Sequence, residues 1–141
     1  MYTGENHTFV VCAYKENLHL ENSINSVLNQ TVKSKVIVST STPNEYIKSL
    51  CEKHDIPMYI NSTPKSIGSD WNYGYNQADT ELVTVVHQDD LYEAEFLEET
   101  LLALNKARNP LFCFTDYSEI KFGEKIERNI LLNIKRIMNF P

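Results

Sequence analysis

Apolar residues along this chain follow two patterns, short continuous runs and helical spacing. The short runs, rich in Val, Ile and Phe, predict five strands, at residues 8–13, 35–39, 57–61, 81–87 and 111–117. Helical spacing predicts helices at residues 18–30, 42–54, 70–78, 93–107 and 128–138. A turn or small hairpin is expected at residues 119–126. Strand and helix therefore alternate along most of the chain.

The predicted strands are nearly continuously apolar, which is typical of a mostly parallel sheet with helices on both faces. The fold class is therefore α/β. For the second helix, Thr42 is the expected N-cap, with Pro43 in the first turn. Ligands of such folds bind beyond the carboxyl ends of the strands. Three loops qualify, at residues 13–17, 39–44 and 87–90.

Length and charge narrow the function classes. The chain has 141 residues, enough for one domain with its own core, and its 42% hydrophobic and 23% charged residues are ordinary for a globular protein. The formal net charge of −6 argues against broad nucleic-acid binding, which needs clustered Lys and Arg. A phosphate-bearing ligand would need a divalent cation as mediator.

The cysteines and the termini suggest the compartment. Cys12, Cys51 and Cys113 lie far apart in apolar settings, so we expect reduced core residues, and no zinc-ligand spacing exists. Residues 1–8 lack the apolar block of a signal peptide, and no apolar run is long enough to span a bilayer. We expect a soluble, cytoplasmic protein.

The most unusual segment is His87–Asp90, where two adjacent carboxylates follow a buried strand. One interpretation is helix capping, because Asp90 and Glu93 have the spacing of a capping box. That interpretation leaves Asp89 and His87 unexplained. The other is a site for Mg²⁺ or Mn²⁺ bridging a diphosphate, since such sites use few protein carboxylates.

Four segments in order resemble the nucleotide-binding half of the inverting family 2 glycosyltransferases, which have the GT-A fold. The apolar strand followed by "AYKE" is similar to the family's opening, and "SINSVLNQT" (residues 23–31) looks like its most characteristic helix end. "DWNYGYNQADTELVTVVHQDD" (residues 70–90) follows the family's order up to the acidic metal motif. The resemblance implies a Rossmann-like fold and transfer of a sugar from a nucleoside diphosphate, most often UDP.

The resemblance assigns metal binding to Asp89, on the diphosphate, with His87 in place of the first acid of the motif. Asp90 would support the loop and cap the helix. The donor contacts implied are Ala13, Tyr14, Glu16, Ser39, Thr40, Asp70, Trp71 and Gln88.

Alternatives stay open for several of these donor residues. Tyr14 would lie against the nucleobase or pack on the sheet edge. Ser39 and Thr40 replace the family's paired acids, which makes uridine specificity less secure. Trp71 stands where a basic residue is common, and a packing anchor is the favoured interpretation. Asp70 could instead cap a helix or face solvent.

Inversion requires a carboxylate base, and the resemblance places it in an acceptor-binding half. Asp116 is the weak candidate here. We expect one domain over residues 1–141, with a donor-binding core at 8–117 and a hairpin and amphipathic helix at 118–141, truncated before the acceptor-binding region. That helix could pack on this domain, meet an absent region, or touch the inner face of a membrane.

The expected acceptor is a saccharide or a lipid-linked hydroxyl, as in the synthesis of cell-surface polysaccharide or glycolipid. The alternative function is a nucleotide-sugar-binding module without complete catalytic residues. A response-regulator-like domain fits poorly, because it needs acids where Ala13 and Asn61 stand.

Overall fold

The computed structural model of the chain describes residues 1–126 together with Asn133. Contacts divide the chain into two compact units, residues 1–109 and 110–141. The first unit contains four strands and four helices in alternation: β1 (His7–Ala13), α1 (Leu20–Leu28), β2 (Lys35–Thr40), α2 (Glu45–His54), β3 (Met58–Ile60), α3 (Ile67–Tyr75), β4 (Leu82–His87) and α4 (Phe96–Lys106). The expected boundary between residues 117 and 118 stays a prediction.

The four strands form one parallel sheet in the order β3-β2-β1-β4, flanked by helices. The register pairs Ala13 with Thr40 on one side of β1, and Cys12 with His87 on the other. The carboxyl ends of β2, β1 and β4 therefore lie side by side. The mostly parallel α/β sheet predicted from the apolar runs is confirmed.

The central strand β1 is buried on both faces, which is why its apolar run is continuous. Phe9 is fully buried against Tyr92 and Phe96, with ring centroids 6.0 and 6.2 Å away. On the opposite face, Val10 lies under Gly74 of α3, and a Cβ added there would come within 2.8 Å of Val10 Cγ1. Helix α3 thus approaches the sheet closely enough to require glycine.

The helices start two to three residues from their predicted positions, with α1 at Leu20 rather than residue 18. Asn44 caps α2 by accepting a hydrogen bond from the Ile47 amide at 2.9 Å, so the prediction of Thr42 as the cap is wrong. Both residues can cap, and Thr42 Oγ1 instead accepts from the Lys15 amide. Helix α3 starts at Ile67 after a Ser66 cap, and α4 starts only at Phe96.

In the second unit, residues 111–117 form no strand, so the fifth-strand prediction is wrong. The side chains of Leu111, Phe112 and Phe114 are exposed, because an apolar run by itself does not provide a partner strand. Cys113 is also exposed, which corrects its expected place in a core; Cys51 is buried and Cys12 half-buried.

The expected hairpin is present as β5 (Glu119–Lys121) and β6 (Glu124–Ile126), paired antiparallel. Its two turn residues, Phe122 and Gly123, both have positive φ, of 53° and 83°, as a tight hairpin turn requires. The helix predicted at residues 128–138 lies outside the described residues, apart from Asn133. No helix in the part that the structure describes is long and apolar enough to cross a membrane.

Candidate functional site

The acidic segment forms a tight turn at the carboxyl end of β4. The Asp90 amide donates to the carbonyl oxygen of His87 at 3.1 Å, which leaves Gln88 and Asp89 in the middle of the turn. Both Asp89 and Asp90 are exposed. Within the part of the chain that the structure describes, no hydrogen bond or ion pair engages the Asp89 carboxylate. This group is therefore available to a ligand.

Asp90 does not cap the following helix, so the capping-box prediction is wrong. The residue that precedes α4 is Glu95, and its side chain makes no capping hydrogen bond. The Asp90 side chain instead approaches His87, whose Nδ1 lies 4.0 Å from Asp90 Oδ2. Five residues, 91–95, lie between Asp90 and the start of α4 at Phe96, so Asp90 is too far along the chain to cap that helix.

The His87 ring is held by Trp71 of α3. The two rings stack with 4.6 Å between centroids and 27° between planes, while Trp71 remains 38% exposed. The interpretation favoured from the sequence was that Trp71 is a packing anchor. In the structure it packs on His87, a residue of the acidic turn. The His87 side chain remains 45% exposed, so it is accessible to a ligand.

Gln88 joins the β1 loop to the β4 turn. Its Oε1 accepts from the Tyr14 amide at 2.8 Å, and its Nε2 donates to the Tyr14 carbonyl at 3.1 Å. Gln88 therefore fixes the backbone of Tyr14, and its side-chain amide keeps one N–H outside this pair of bonds. The Tyr14 ring is 51% exposed, and Lys15 Nζ lies 5.2 Å from its centroid.

Asp70 is held in place by two strand-end side chains. Ser41 Oγ donates to its Oδ2 at 2.6 Å, and Asn61 Nδ2 donates to its Oδ1 at 2.7 Å. Asp70 does not cap α3, because Ser66 is the cap, and its carboxylate is half-buried. Burial and then the nearby Asp70 charge raise the pKa of the Cys12 thiol to about 11, so this thiol stays protonated at neutral pH.

The structure does not bring Ser39 and Thr40 to the surface. Ser39 is buried beneath α3, where a Cβ at Gly74 would lie 3.0 Å from its own Cβ. Thr40 is buried and its Oγ1 accepts from the Thr42 amide at 3.0 Å. Ser41, the next residue, is the one that reaches the edge.

Two further predicted donor residues lie at the first loop. Ala13 is buried at the end of β1, whereas Glu16 is exposed. The residues that the sequence did not single out are Ser41 and Asn61. Their only signal was polarity at or just beyond the end of a predicted strand, which many residues share.

The described residues include no group of three or more His, Cys, Asp or Glu side chains that could hold a metal ion by itself. The turn does offer the adjacent carboxylates of Asp89 and Asp90. A Mg²⁺ or Mn²⁺ ion commonly takes one or two carboxylates and completes its coordination with phosphate oxygens and water. The turn therefore fits a cation shared with a diphosphate rather than one enclosed by protein.

Comparison with known sequences assigns the chain to one protein family. The sequence model of the family described as "Glycosyl transferase family 2" matches residues 8–140. No curated protein matches the chain.

Solved structures share the fold. S. aureus TarS 1–349 has a TM-score of 0.64 at 19% identity, over 71% of this chain and 32% of that chain. The mannosyltransferase PcManGT from Pyrobaculum calidifontis, solved in complex with GDP-Man and Mn²⁺, has a TM-score of 0.59 at 19% identity, with the same 71% and 32% coverage. The GT-A fold predicted from the sequence is confirmed, and this chain spans 32% of the length of each structure.

Proposed function

The chain belongs to glycosyl transferase family 2, and we propose that it binds a nucleoside diphosphate sugar at the carboxyl edge of its sheet for transfer to an acceptor hydroxyl. The observation that carries the proposal is the acidic turn after β4. Its Asp89 carboxylate is exposed and unengaged among the described residues, while Ser23 and Trp71 hold His87, the first residue of the turn. An acid kept free on an anchored turn suits a ligand that supplies positive charge.

The nucleobase would lie between the Tyr14 ring and the Asp70 carboxylate. Tyr14 offers an exposed aromatic face for stacking. Each Asp70 oxygen already accepts one hydrogen bond and retains a lone pair, so it can accept another from a ring N–H. Uracil and guanine both present such a group. We propose UDP as the donor nucleotide, and GDP is the comparison because PcManGT was solved with GDP-Man.

A divalent cation, Mn²⁺ or Mg²⁺, would be held by Asp89, with Asp90 beside it and His87 at the edge of the site. When bound, it would supply the positive charge that stabilises the departing diphosphate. Hard cations favour oxygen ligands, so the His87 ring edge is better suited to a ribose hydroxyl or a bound water.

Transfer with inversion would require a base to deprotonate the acceptor hydroxyl. Asp116 remains the candidate from the described residues. Its carboxylate accepts from the Tyr117 amide at 2.9 Å, and it is exposed within the second unit. Acceptor selection and the base would distinguish a complete transferase from a module that only binds the nucleotide sugar.

We place the reaction at the cytoplasmic side of the cell, with a saccharide or lipid-linked acceptor of the kind used in surface polysaccharide or glycolipid synthesis. The family membership supports a sugar acceptor in general. Turnover assays with UDP-sugars and membrane-extracted acceptors would test the proposed acceptor class separately from donor binding.

Calorimetric titration with UDP and with GDP, each with and without Mn²⁺, tests the donor site. We expect binding that strengthens with Mn²⁺ in the natural chain, and loss of that increment in Asp89→Asn, which keeps the shape but removes the charge. Asp55→Asn is the matched control, because Asp55 ends α2 in a left-handed conformation that Asn also tolerates. Equal Mn²⁺ dependence in both variants would contradict the proposal.

A further inference from the structure

Helix α1 is tied to the chain on both sides of the acidic turn. Ser23 is fully buried, and its Oγ donates to the His87 carbonyl at 3.1 Å. Ser26 Oγ accepts from the Tyr92 amide at 3.2 Å. Residues 88–91, which include both carboxylates, therefore run between two anchors on the same helix.

Gln30, which follows α1, holds the segment beyond the turn. Its side chain is buried, and its Nε2 donates to the carbonyls of Ser26 at 3.0 Å and Glu93 at 2.8 Å. Its Oε1 accepts from the Leu97 amide at 2.9 Å. An amide side chain has two N–H donors. Both are used, and the oxygen is used as well.

The bond to Leu97 replaces a missing helix cap. The first amides of a helix have no partner within it, and a side chain at the N-cap usually supplies one. Glu95 makes no such bond, so Gln30 supplies it from another element. Thr31 adds bonds from its amide to the Ala94 carbonyl and from its Oγ1 to Glu98, each at 2.8 Å.

The connection from β4 to α4 thus obtains many of its hydrogen bonds from α1 and from the two residues Gln30 and Thr31 that follow it. Residues 90–93 belong to no helix or strand. A connection without regular structure samples other conformations when its bonds are removed, and the adjacent charges of Asp89 and Asp90 favour moving apart. Donor affinity then falls in proportion to the population that keeps the binding geometry.

We propose that Gln30 is a positioning residue for the acidic turn, and that it sets the cation-dependent part of nucleotide binding without touching the nucleotide. This inference rests on the proposed function, because it concerns the same site. It also assigns a role to "SINSVLNQT", in which Ser23, Ser26, Gln30 and Thr31 all contact the segment from the end of β4 to the first turn of α4.

The test compares Gln30→Met with Asn105→Leu. Met keeps the length of the side chain and removes its hydrogen bonds. Asn105 is a matched amide elsewhere in the first unit, whose side chain exchanges two hydrogen bonds with the Tyr2 backbone at 2.7 and 2.9 Å. Each variant loses the hydrogen bonds of one side-chain amide, so the free energy of unfolding measured in urea should fall in both.

Calorimetry with UDP, with and without Mn²⁺, distinguishes a residue that positions the acidic turn from one that only stabilises the fold. We expect Gln30→Met to weaken Mn²⁺-dependent UDP binding by about 10- to 100-fold, the range for residues that orient metal ligands, and to leave metal-free binding unchanged. Asn105→Leu should change neither. Equal affinities in the two variants would overturn the inference.

If Gln30→Met does not fold, Ser26→Ala decides the question, because it removes the acceptor for Tyr92 and leaves Gln30 in place. Weaker Mn²⁺-dependent binding would support the inference, and unchanged binding would overturn it. A natural chain that shows no Mn²⁺-dependent binding of UDP or GDP overturns the proposed function, and this role with it. Mn²⁺-dependent binding in the natural chain that is unchanged in Gln30→Met, or in Ser26→Ala where Gln30→Met does not fold, overturns the inference alone.

Discussion

The indole of Trp71 stacks on the imidazole of His87, with 4.6 Å between the ring centroids. One ring belongs to α3 and the other to the turn after β4, so the contact joins the two parts of the candidate donor site. Trp71 therefore covers one face of the residue that begins the acidic turn.

Replacing Trp71 by Leu should weaken nucleotide binding, because His87 loses the surface that orients its ring. Trp71→Phe should give an intermediate effect, since a smaller aromatic ring retains part of the stacking. Titration with UDP and Mn²⁺ measures both. Tyr75→Leu, at an exposed aromatic residue of the same helix, is the control and should bind normally. A similar loss in Tyr75→Leu would mean that the helix surface, rather than the stack, matters.

Asp70→Asn should weaken UDP binding by about 10- to 100-fold, because hydrogen bonds to a charged acceptor are worth about 1.5–3 kcal/mol. The loss should be equal with and without Mn²⁺, since Asp70 is proposed to face the nucleobase. Ser41→Ala removes one of the two bonds that hold Asp70 and should have a smaller effect. A loss confined to the Mn²⁺-dependent part would instead place Asp70 on the cation.

Gly74→Ala should lower the free energy of unfolding by about 1–3 kcal/mol, the usual cost of overpacking. Its new Cβ would lie 2.8 Å from Val10 Cγ1 and 3.0 Å from Ser39 Cβ, so α3 must move away from the sheet. Gly68→Ala in the same helix is the control, because its nearest neighbour, Ser66 Oγ, is 3.9 Å away. That variant should be neutral or more stable, and urea unfolding of both decides.

Stability should fall as the pH is lowered from 6.5 towards 4, partly through His7. Burial lowers the pKa of His7 from 6.5 to about 4, and its ring nitrogens lie 3.1 Å from Ser34 Oγ and 2.8 Å from Thr84 Oγ1. Below pH 6.5 the unfolded chain binds a proton that the folded chain does not, so unfolding is favoured. The full effect is about 3 kcal/mol and is absent above pH 6.5.

His7→Gln removes this titration. Unfolding in urea at several pH values should therefore show a shallower loss of stability between pH 6.5 and 4 in the variant than in the natural chain. Equal slopes would show that His7 is protonated in the folded state at these pH values.

The sheet could be predicted from the sequence because each strand that becomes buried on both faces needs a continuous apolar run. The run at residues 111–117 has the same composition and forms no strand, since composition does not show whether a partner strand exists. The prediction of the N-cap of α2 was wrong for a similar reason. Thr42 and Asn44 both suit an N-cap, and the Lys15 amide, distant in sequence, takes the Thr42 hydroxyl.

The role of Asp89 as a metal ligand stays a prediction from the family resemblance, and the structure adds that this residue is exposed in the turn after β4. The contacts that hold the acidic turn in place could not be predicted from the sequence. Gln88 with Tyr14, Gln30 with Leu97 and Trp71 with His87 each join segments far apart in the sequence or on different elements. No local pattern predicts which amide or ring will meet which loop.

Gln30 and Leu97 are separated by 67 positions in the chain. During synthesis, α1 is made well before the connection that its polar side chains will hold. Until β4 and α4 emerge, Ser23 Oγ lacks the His87 carbonyl and Gln30 Oε1 lacks the Leu97 amide, and a half-made chain has no acidic turn to offer a cation. Competence to bind a nucleotide would then arise in a single late step, when the last helix of the first unit docks.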